Sequence, residues 1–301
     1  MYRIMKTMLK IKLVVLLLIA GTVAFGQFVF EREVKPTPVS KSAQFNSLTV
    51  SQFGDIYLLE TKGQEIYRLN SKGEVQAVNG GFGWAEGRFD TPMDINISSG
   101  LDLLVADYNN HRIVRFDRDL NYLTTYPDLN SDFEISYPRS VVLTNLGEIF
   151  ILSDENAEII RLNLSRNNIT TFAGIVYDNY ALSDPILIRM NEAGILNVLE
   201  EGGQILQFDR FGTPVSRLKV PAESRILAMV PVGNDIIVSL HKEPALMMYS
   251  AAQKQWSPLI IDGLPKSAYF GSIYYQNNQL YLLSSNGRIL ICSHLSHSEK
   301  K

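Results

Sequence analysis

An all-β, six-bladed β-propeller is the fold class predicted by this sequence, on three observations. A five-residue apolar run starts at Ile56, Leu103, Ile149, Leu196, Ile236 and Leu280, recurring at steps of 47, 46, 47, 40 and 44 residues. A second β-rich run follows each at nine or ten residues, from Ile66, Ile113, Ile159, Ile205, Leu246 and Ile289. Gly, Asn, Asp and Ser break the chain between runs, and no long amphipathic helical pattern interrupts them. A four-stranded antiparallel unit of ~40–45 residues, repeated, is the sequence form of a propeller blade.

Each strand of the unit is justified in turn. Eleven residues before each first run stand Phe45, Pro92, Pro138, Pro185, Arg225 and Tyr269, where an innermost strand is expected to begin. The runs that follow, such as "IYLLE", "LLVAD" and "IFILS", are continuously apolar rather than alternating. That fits sheets covered on both faces, each blade packing between two neighbours. Fourth segments, "VQAV", "YLTTY", "ITTFA", "PVSRL" and "WSPLI", complete units one to five. Unit six stops short, since only "LSHSEKK" follows "RILICSH". A spare strand lies at the other end: "QFVFEREV", Gln27 to Val34, alternates through Phe28 and Phe30. It is expected to pair beside Ile289–Ser293 and close the ring, removing a sheet edge that would invite aggregation.

Residues 1–26 read as a secretory signal peptide. Arg3, Lys6, Lys10 and Lys12 precede an apolar section from Leu13 to Ala20, and Ala24 and Gly26 place cleavage after Gly26. The apolar section is shorter than the ~20 residues of a membrane-spanning helix. The competing expectation is an uncleaved N-terminal membrane anchor; no cysteine near the cleavage site speaks for a lipoprotein. The expected organisation is thus a leader over 1–26, a propeller over 27–294 and a polar, disordered tail over 295–301. The expected location is periplasmic or extracellular.

Composition bounds the function. With 46% hydrophobic and 20% charged residues in 301, the chain can build a sizeable core. Its single cysteine, Cys292, excludes an intramolecular disulfide and a four-cysteine zinc site, and reads as a small core residue. The formal charge of −3 becomes about −7 once the leader's four basic residues are removed. An acidic domain without a basic tract is a poor candidate for nucleic acid or an anionic membrane.

The stretch "GGFGWAEGRFDTPMDINISSGLDLLVADYNNHRIVRFD", Gly80 to Asp117, resembles an NHL repeat. It has the glycine-rich lead-in, Phe89 and Pro92, Asp107 after the apolar strand, and "NHRI" opening the next. "YPRSVVLTNLGEIFILSDENAEIIRLN" is similar to a second copy; units one and four are weaker, and five and six lack the aspartate. The resemblance covers roughly residues 45–293 and implies an NHL/TolB-like six-bladed propeller. Such propellers serve mostly as binding and scaffolding platforms, with a minority of enzymes among related folds.

Two places are candidate binding sites. One and two residues past the strand starts, units one to three offer Asn46, Asp94 and Arg139 at the channel mouth, whereas units four to six offer a mostly apolar arc. A half-polar, half-apolar rim suits an organic ligand or peptide better than a bare metal ion. The bland alternative is that Asp94 and Arg139 pair with each other and plug the channel. The second place is Trp84, in the glycine-rich loop between units one and two, either a partner anchor or tucked over the blade junction, as large aromatics gain most from burial. Asp107 and Arg112 read as a hairpin corner, with Asn109–Asn110 supplying the turn.

Enzyme signatures are sparse. Lactonase-type calcium sites need six or more oxygen ligands, and only Asp94 and Asn46 are in register. Of four histidines, His111 and His241 fall in turns spread around the ring and His294 and His297 lie near the end, against zinc ligation by three of them. No "GxSxG", "GxxxxGK" or "HExxH" is present. Sequons stand at Asn96, Asn163 and Asn168. No cofactor and no metal are expected, and the expected state is a monomeric propeller that binds a protein, peptide or glycan at one face. The alternative is a propeller hydrolase or lyase with an atypical channel, which would bring three or more titratable groups together there.

Overall fold

The computed structural model describes residues 28–97, 102–127, 133–164, 168–173, 180–265, 269–284 and 287–294. The leader, the tail with His297, and Gln27 lie outside the described residues. Among those described, no helix is long and apolar enough to cross a membrane.

Among the described residues, twenty-four strands form six four-stranded antiparallel sheets. The first described strand, β1 (Phe28–Val34), stands apart from those that follow it. Blade one is β2 (Phe45–Val50), β3 (Ile56–Glu60), β4 (Glu65–Leu69) and β5 (Val75–Gly80), paired in that order. Blade two is β6 (Pro92–Ile97), β7 (Leu103–Asp107), β8 (Arg112–Phe116) and β9 (Tyr122–Tyr126). Blade three is β10 (Pro138–Leu143), β11 (Glu148–Ser153), β12 (Glu158–Asn163) and β13 (Asn168–Ala173). Blade four is β14 (Pro185–Met190), β15 (Leu196–Glu200), β16 (Gln204–Phe208) and β17 (Pro214–Lys219). Blade five is β18 (Ile226–Val232), β19 (Asp235–Leu240), β20 (Leu246–Ser250) and β21 (Gln255–Pro258). Blade six is β22 (Phe270–Gln276), β23 (Gln279–Ser284) and β24 (Ile289–His294), with β1 as its outer strand. Phe28 lies opposite His294 and Val34 opposite Ile289, with a bulge between Phe30 and Arg32.

Continuous apolar runs become second strands because both of their faces are covered. Every residue of β3, β7 and β15 is buried. Each face packs on a neighbouring blade: Tyr57 and Ile66 meet Ile95 and Val105 between blades one and two. Val34 and Tyr281 meet Leu48 and Leu58 between blades six and one. Each such side chain contributes roughly 1.5–3 kcal/mol of burial, and no blade could keep water from its faces alone.

Pro92, Pro138 and Pro185 each open an innermost strand, a position where a missing N–H costs no ladder bond. All six innermost strands carry a register shift between their first and third residues, which leaves Asn46, Met93, Arg139, Ile186, Leu227 and Gly271 unpaired at one end of the ring. The structure corrects two expected starts. Ile226 lies opposite Leu240 and Phe270 opposite Ser284, as Phe45 lies opposite Glu60, so blades five and six begin one residue later than Arg225 and Tyr269. The reason is the turn into the second strand. Two-residue hairpin turns at Gly233–Asn234 and Asn277–Asn278, with φ of 60° at Gly233 and of 52° and 60° at the two Asn, are one residue shorter than the turns of blades one, three and four.

Candidate functional site: the channel mouth and the Trp84 loop

An innermost strand has a sheet partner on one side only, so every second N–H points away from the ladder and needs another acceptor. The preceding blade supplies it. Leu48 N donates to Ser272 Oγ at 3.1 Å, Ile95 N to Ser47 Oγ at 3.4 Å, Val141 N to Asp94 Oδ2 at 3.3 Å and Ile188 N to Ser140 Oγ at 3.2 Å. Two residues deeper, Ile97 N donates to Thr49 Oγ1 at 3.3 Å and Leu143 N to Asn96 Oδ1 at 3.1 Å. Small polar side chains at the third and fifth positions of these strands therefore tie blades six, one, two and three each to the next.

Asp94 belongs to this buried layer, one level below Asn46 and Arg139. It is 3% exposed and does not pair with Arg139. Its partner is Arg189 on β14, which reaches it with Nη1 at 2.8 Å and Nη2 at 2.9 Å. Ser47 Oγ donates to Asp94 Oδ1 at 2.9 Å and Ser140 Oγ to Oδ2 at 2.6 Å. The pair joins blades two and four and separates two cavities, both of which Arg189 lines. Tyr274 faces the same layer; burial raises its hydroxyl, opposed by a hydrogen bond with Thr49 and the charge of Arg189. Arg189 was not among the residues anticipated. Its signal was a lone charge inside "PILIRM", where other blades hold Thr49, Asn96, Val142, Val230 and Tyr274.

The upper cavity, of about 260 Å³, lies at the mouth where the innermost strands begin and brings together Asn46, Asp94 and Arg139. Arg139 Nη1 donates to Asp154 Oδ1 at 2.9 Å, and Tyr108 Oη to Asp154 Oδ2 at 2.8 Å. Asn46 Nδ2 donates to Met93 O at 3.4 Å, while its buried Oδ1 has no partner. The apolar arc is Ile186, Leu187, Ile226, Leu227 and Ala228, ending at Gly271, whereas Phe270 packs into the junction of blades five and six. A larger cavity of about 440 Å³ at the opposite mouth, lined by Asn191, Glu192, Tyr274 and Tyr275 among others, was not anticipated.

Trp84 is not tucked over the junction. It is 71% exposed, and Phe82 beside it is 69% exposed. The reason lies in the loop backbone. Arg112 donates Nη1 to Trp84 O at 3.0 Å and Nη2 to Ala85 O at 3.2 Å and Arg88 O at 2.8 Å. Its Nε donates to the fully buried Asp107 Oδ2 at 2.8 Å. Asp107 also accepts from Asp90 N at 2.7 Å and Asn110 Nδ2 at 2.8 Å, and Asn110 Nδ2 donates to Gly83 O at 3.0 Å. Asp107 and Arg112 are thus the fastening of the loop as well as a hairpin corner. The left-handed residue of that corner is His111, φ 55°, rather than Asn109 or Asn110.

The three described histidines are dispersed. His111 lies 4.1 Å from the Tyr137 ring centre, His241 stacks on Tyr269 at 5.2 Å and His294 lies 5.0 Å from Phe28. Among the described residues, no three His, Cys, Asp or Glu side chains come together as a metal site.

Residues 89–116, which span β6 to β8, match the family model of the NHL repeat. Over 74 residues, 24% of this chain, the sequence is 35% identical to the protein Brain tumor of Drosophila melanogaster, of whose length it spans only 7%. Virginiamycin B lyase from Staphylococcus aureus, solved as a catalytically inactive variant with quinupristin, is similar in structure, with a TM-score of 0.61 at 16% identity over 89% of this chain and 100% of that one. A streptogramin B lyase structure gives 0.58 at 13% identity, over 89% of this chain and 98% of that one. At such identities the likeness shows the fold alone. The chain is a six-bladed β-propeller carrying an NHL repeat.

Proposed function

We propose that the chain is an exported binding module that docks a protein or peptide on the face where its innermost strands begin. Export rests on the leader-like composition of residues 1–26. Docking rests on one observation: two exposed aromatics, Phe82 and Trp84, are displayed by a loop pinned through Arg112 and Asp107, at the same end of the ring as the upper cavity. A large aromatic held in a fixed position binds at low entropic cost, which is why such residues anchor interfaces. The binding and scaffolding role implied by the NHL resemblance agrees with this reading. The hydrolase or lyase alternative is disfavoured by chemistry at the mouth, where the Asp94 carboxylate is already spent on Arg189, two serines and a backbone amide.

The test is photo-crosslinking in the exported protein. Benzoylphenylalanine replaces Trp84 in one variant. In another it replaces Phe211, which is 76% exposed beyond β16, at the other end of the ring. A discrete polypeptide adduct from position 84 and none from position 211 is expected. No adduct at 84, an adduct with a glycan alone, or equal adducts from both positions would overturn the reading.

A further inference from the structure

The rule by which each blade satisfies the next is broken at two consecutive places. Where blades six, one, two and three present Ser272, Ser47, Asp94 and Ser140, blades four and five present Leu187 and Ala228. Neither side chain can accept a hydrogen bond. The donors that would have used them are the N–H groups of Met229 and Ile273, which share the register of Leu48, Ile95, Val141 and Ile188. The lining of the upper cavity agrees with that register. Met229 and Ile273 have buried side chains directed into blade junctions, yet both line the upper cavity, whereas their four counterparts do not.

Charge and shape narrow what these donors await. The charged residues lining the cavity are Arg139, Arg189 and Arg225 against Asp94 alone. Asp94 is neutralised by Arg189, and Arg225 is held only by a 3.7 Å contact between largely exposed side chains, with Glu201. The lining therefore favours an anion beside blade five. The unpartnered Asn46 Oδ1, on blade one, asks for a donor. Between them lies the apolar arc of Ile186, Leu187, Ile226, Leu227 and Ala228. At about 260 Å³ the cavity is below the ~300–1,000 Å³ of drug-sized sites, room for an end of a chain rather than a whole ligand.

We propose that this cavity captures the C-terminal residue of a peptide. The terminal carboxylate takes the N–H groups of Met229 and Ile273, with the Arg225 guanidinium nearby. The last peptide N–H is given to Asn46 Oδ1, and a small apolar side chain lies on Leu187 and Leu227. Backbone capture of a terminal carboxylate is a known recognition mode. The proposal rests on the docking reading above and specifies which part of the partner enters the channel.

N-acetyl-L-leucine is the probe, titrated to millimolar concentration against full-length protein labelled with 15N at Met and Ile. Saturable shifts of the Met229 and Ile273 amide resonances are expected, together with at least tenfold weaker binding of N-acetyl-L-leucinamide. Ala228→Ser restores the hydroxyl found in three other blades. It should move the Ile273 amide to a hydrogen-bonded position without probe and weaken the probe at least tenfold; Leu187→Ser should do the same through Met229. Absence of saturable shifts at these two amides, equal affinity for the amide probe, or undiminished affinity in a folded Ala228→Ser or Leu187→Ser overturns the proposal. The wild-type titration decides even if a variant misfolds. A silent titration with the position-84 crosslink intact sinks this proposal alone. Loss of the crosslink sinks the docking reading whatever the titration shows.

Discussion

The guanidinium of Arg189 and the carboxylate of Asp94 meet in parallel hydrogen bonds of 2.8 and 2.9 Å across the channel, linking blades that are not neighbours in the ring. Both residues are nearly inaccessible, and Ser47, Ser140 and Val141 N fill the remaining sites on the carboxylate.

Breaking that pair strands a buried charge. Arg189→Met and Asp94→Asn are each expected to cost about 3–5 kcal/mol, the usual price of leaving one partner unpaired. The double variant should cost less than the two together, by about 0.5–3 kcal/mol. Denaturant midpoints in a double-mutant cycle measure this; strict additivity would show that the two residues act independently.

Arg112→Ala should release the Trp84 loop while leaving the sheets in place. The loss is about 1–3 kcal/mol, since Asp107 and several loop carbonyls lose their donor. Amide exchange over residues 83–91 should accelerate and Trp84 fluorescence anisotropy should fall. Arg112→Lys should not rescue either, because an ammonium lacks the planar fork that spans these acceptors.

Deleting the chain through Val34 removes β1 and exposes the edge of β24. Phe28 and Val34, both almost fully buried, each contribute roughly 1.5–3 kcal/mol. The truncated protein should melt lower and associate through the bare edge, which light scattering would detect. A monomer of unchanged melting temperature would show that β1 is dispensable.

Alkaline pH should weaken the fold. Burial pushes the Cys292 thiol up to about 12 and, with the nearby Asp55, the Tyr57 hydroxyl to about 12. In the unfolded chain these groups ionise near ~8.5 and ~10. Between those values and about 12 the native state keeps protons the unfolded state has lost, so their contribution is complete below about pH 8.5 and declines as pH rises. Denaturant midpoints at pH 7 and 10.5 test the sign. Cys292 should react with iodoacetamide only on unfolding; native labelling as fast as denatured labelling would contradict its burial.

The six-fold recurrence of apolar runs determined the number of blades, the order of strands within them and the positions where innermost strands start in blades one to four. Those features follow from local pattern, because a run apolar on both faces has to be covered on both. The same pattern brought Asn46, Asp94 and Arg139 to one cavity. Only the tertiary structure decided their partners. Arg189 lies 95 residues from Asp94, and nothing local marks which carboxylate a guanidinium will meet across a channel. The one-residue slip in blades five and six was set by hairpin turns, invisible to a fixed spacing of eleven. Trp84 stayed in solvent against its hydrophobicity because Arg112, 28 residues away, holds the loop's carbonyls beneath it. Repetition records which surfaces must be buried; the pairing of the few polar groups left inside depends on where closing the ring places them.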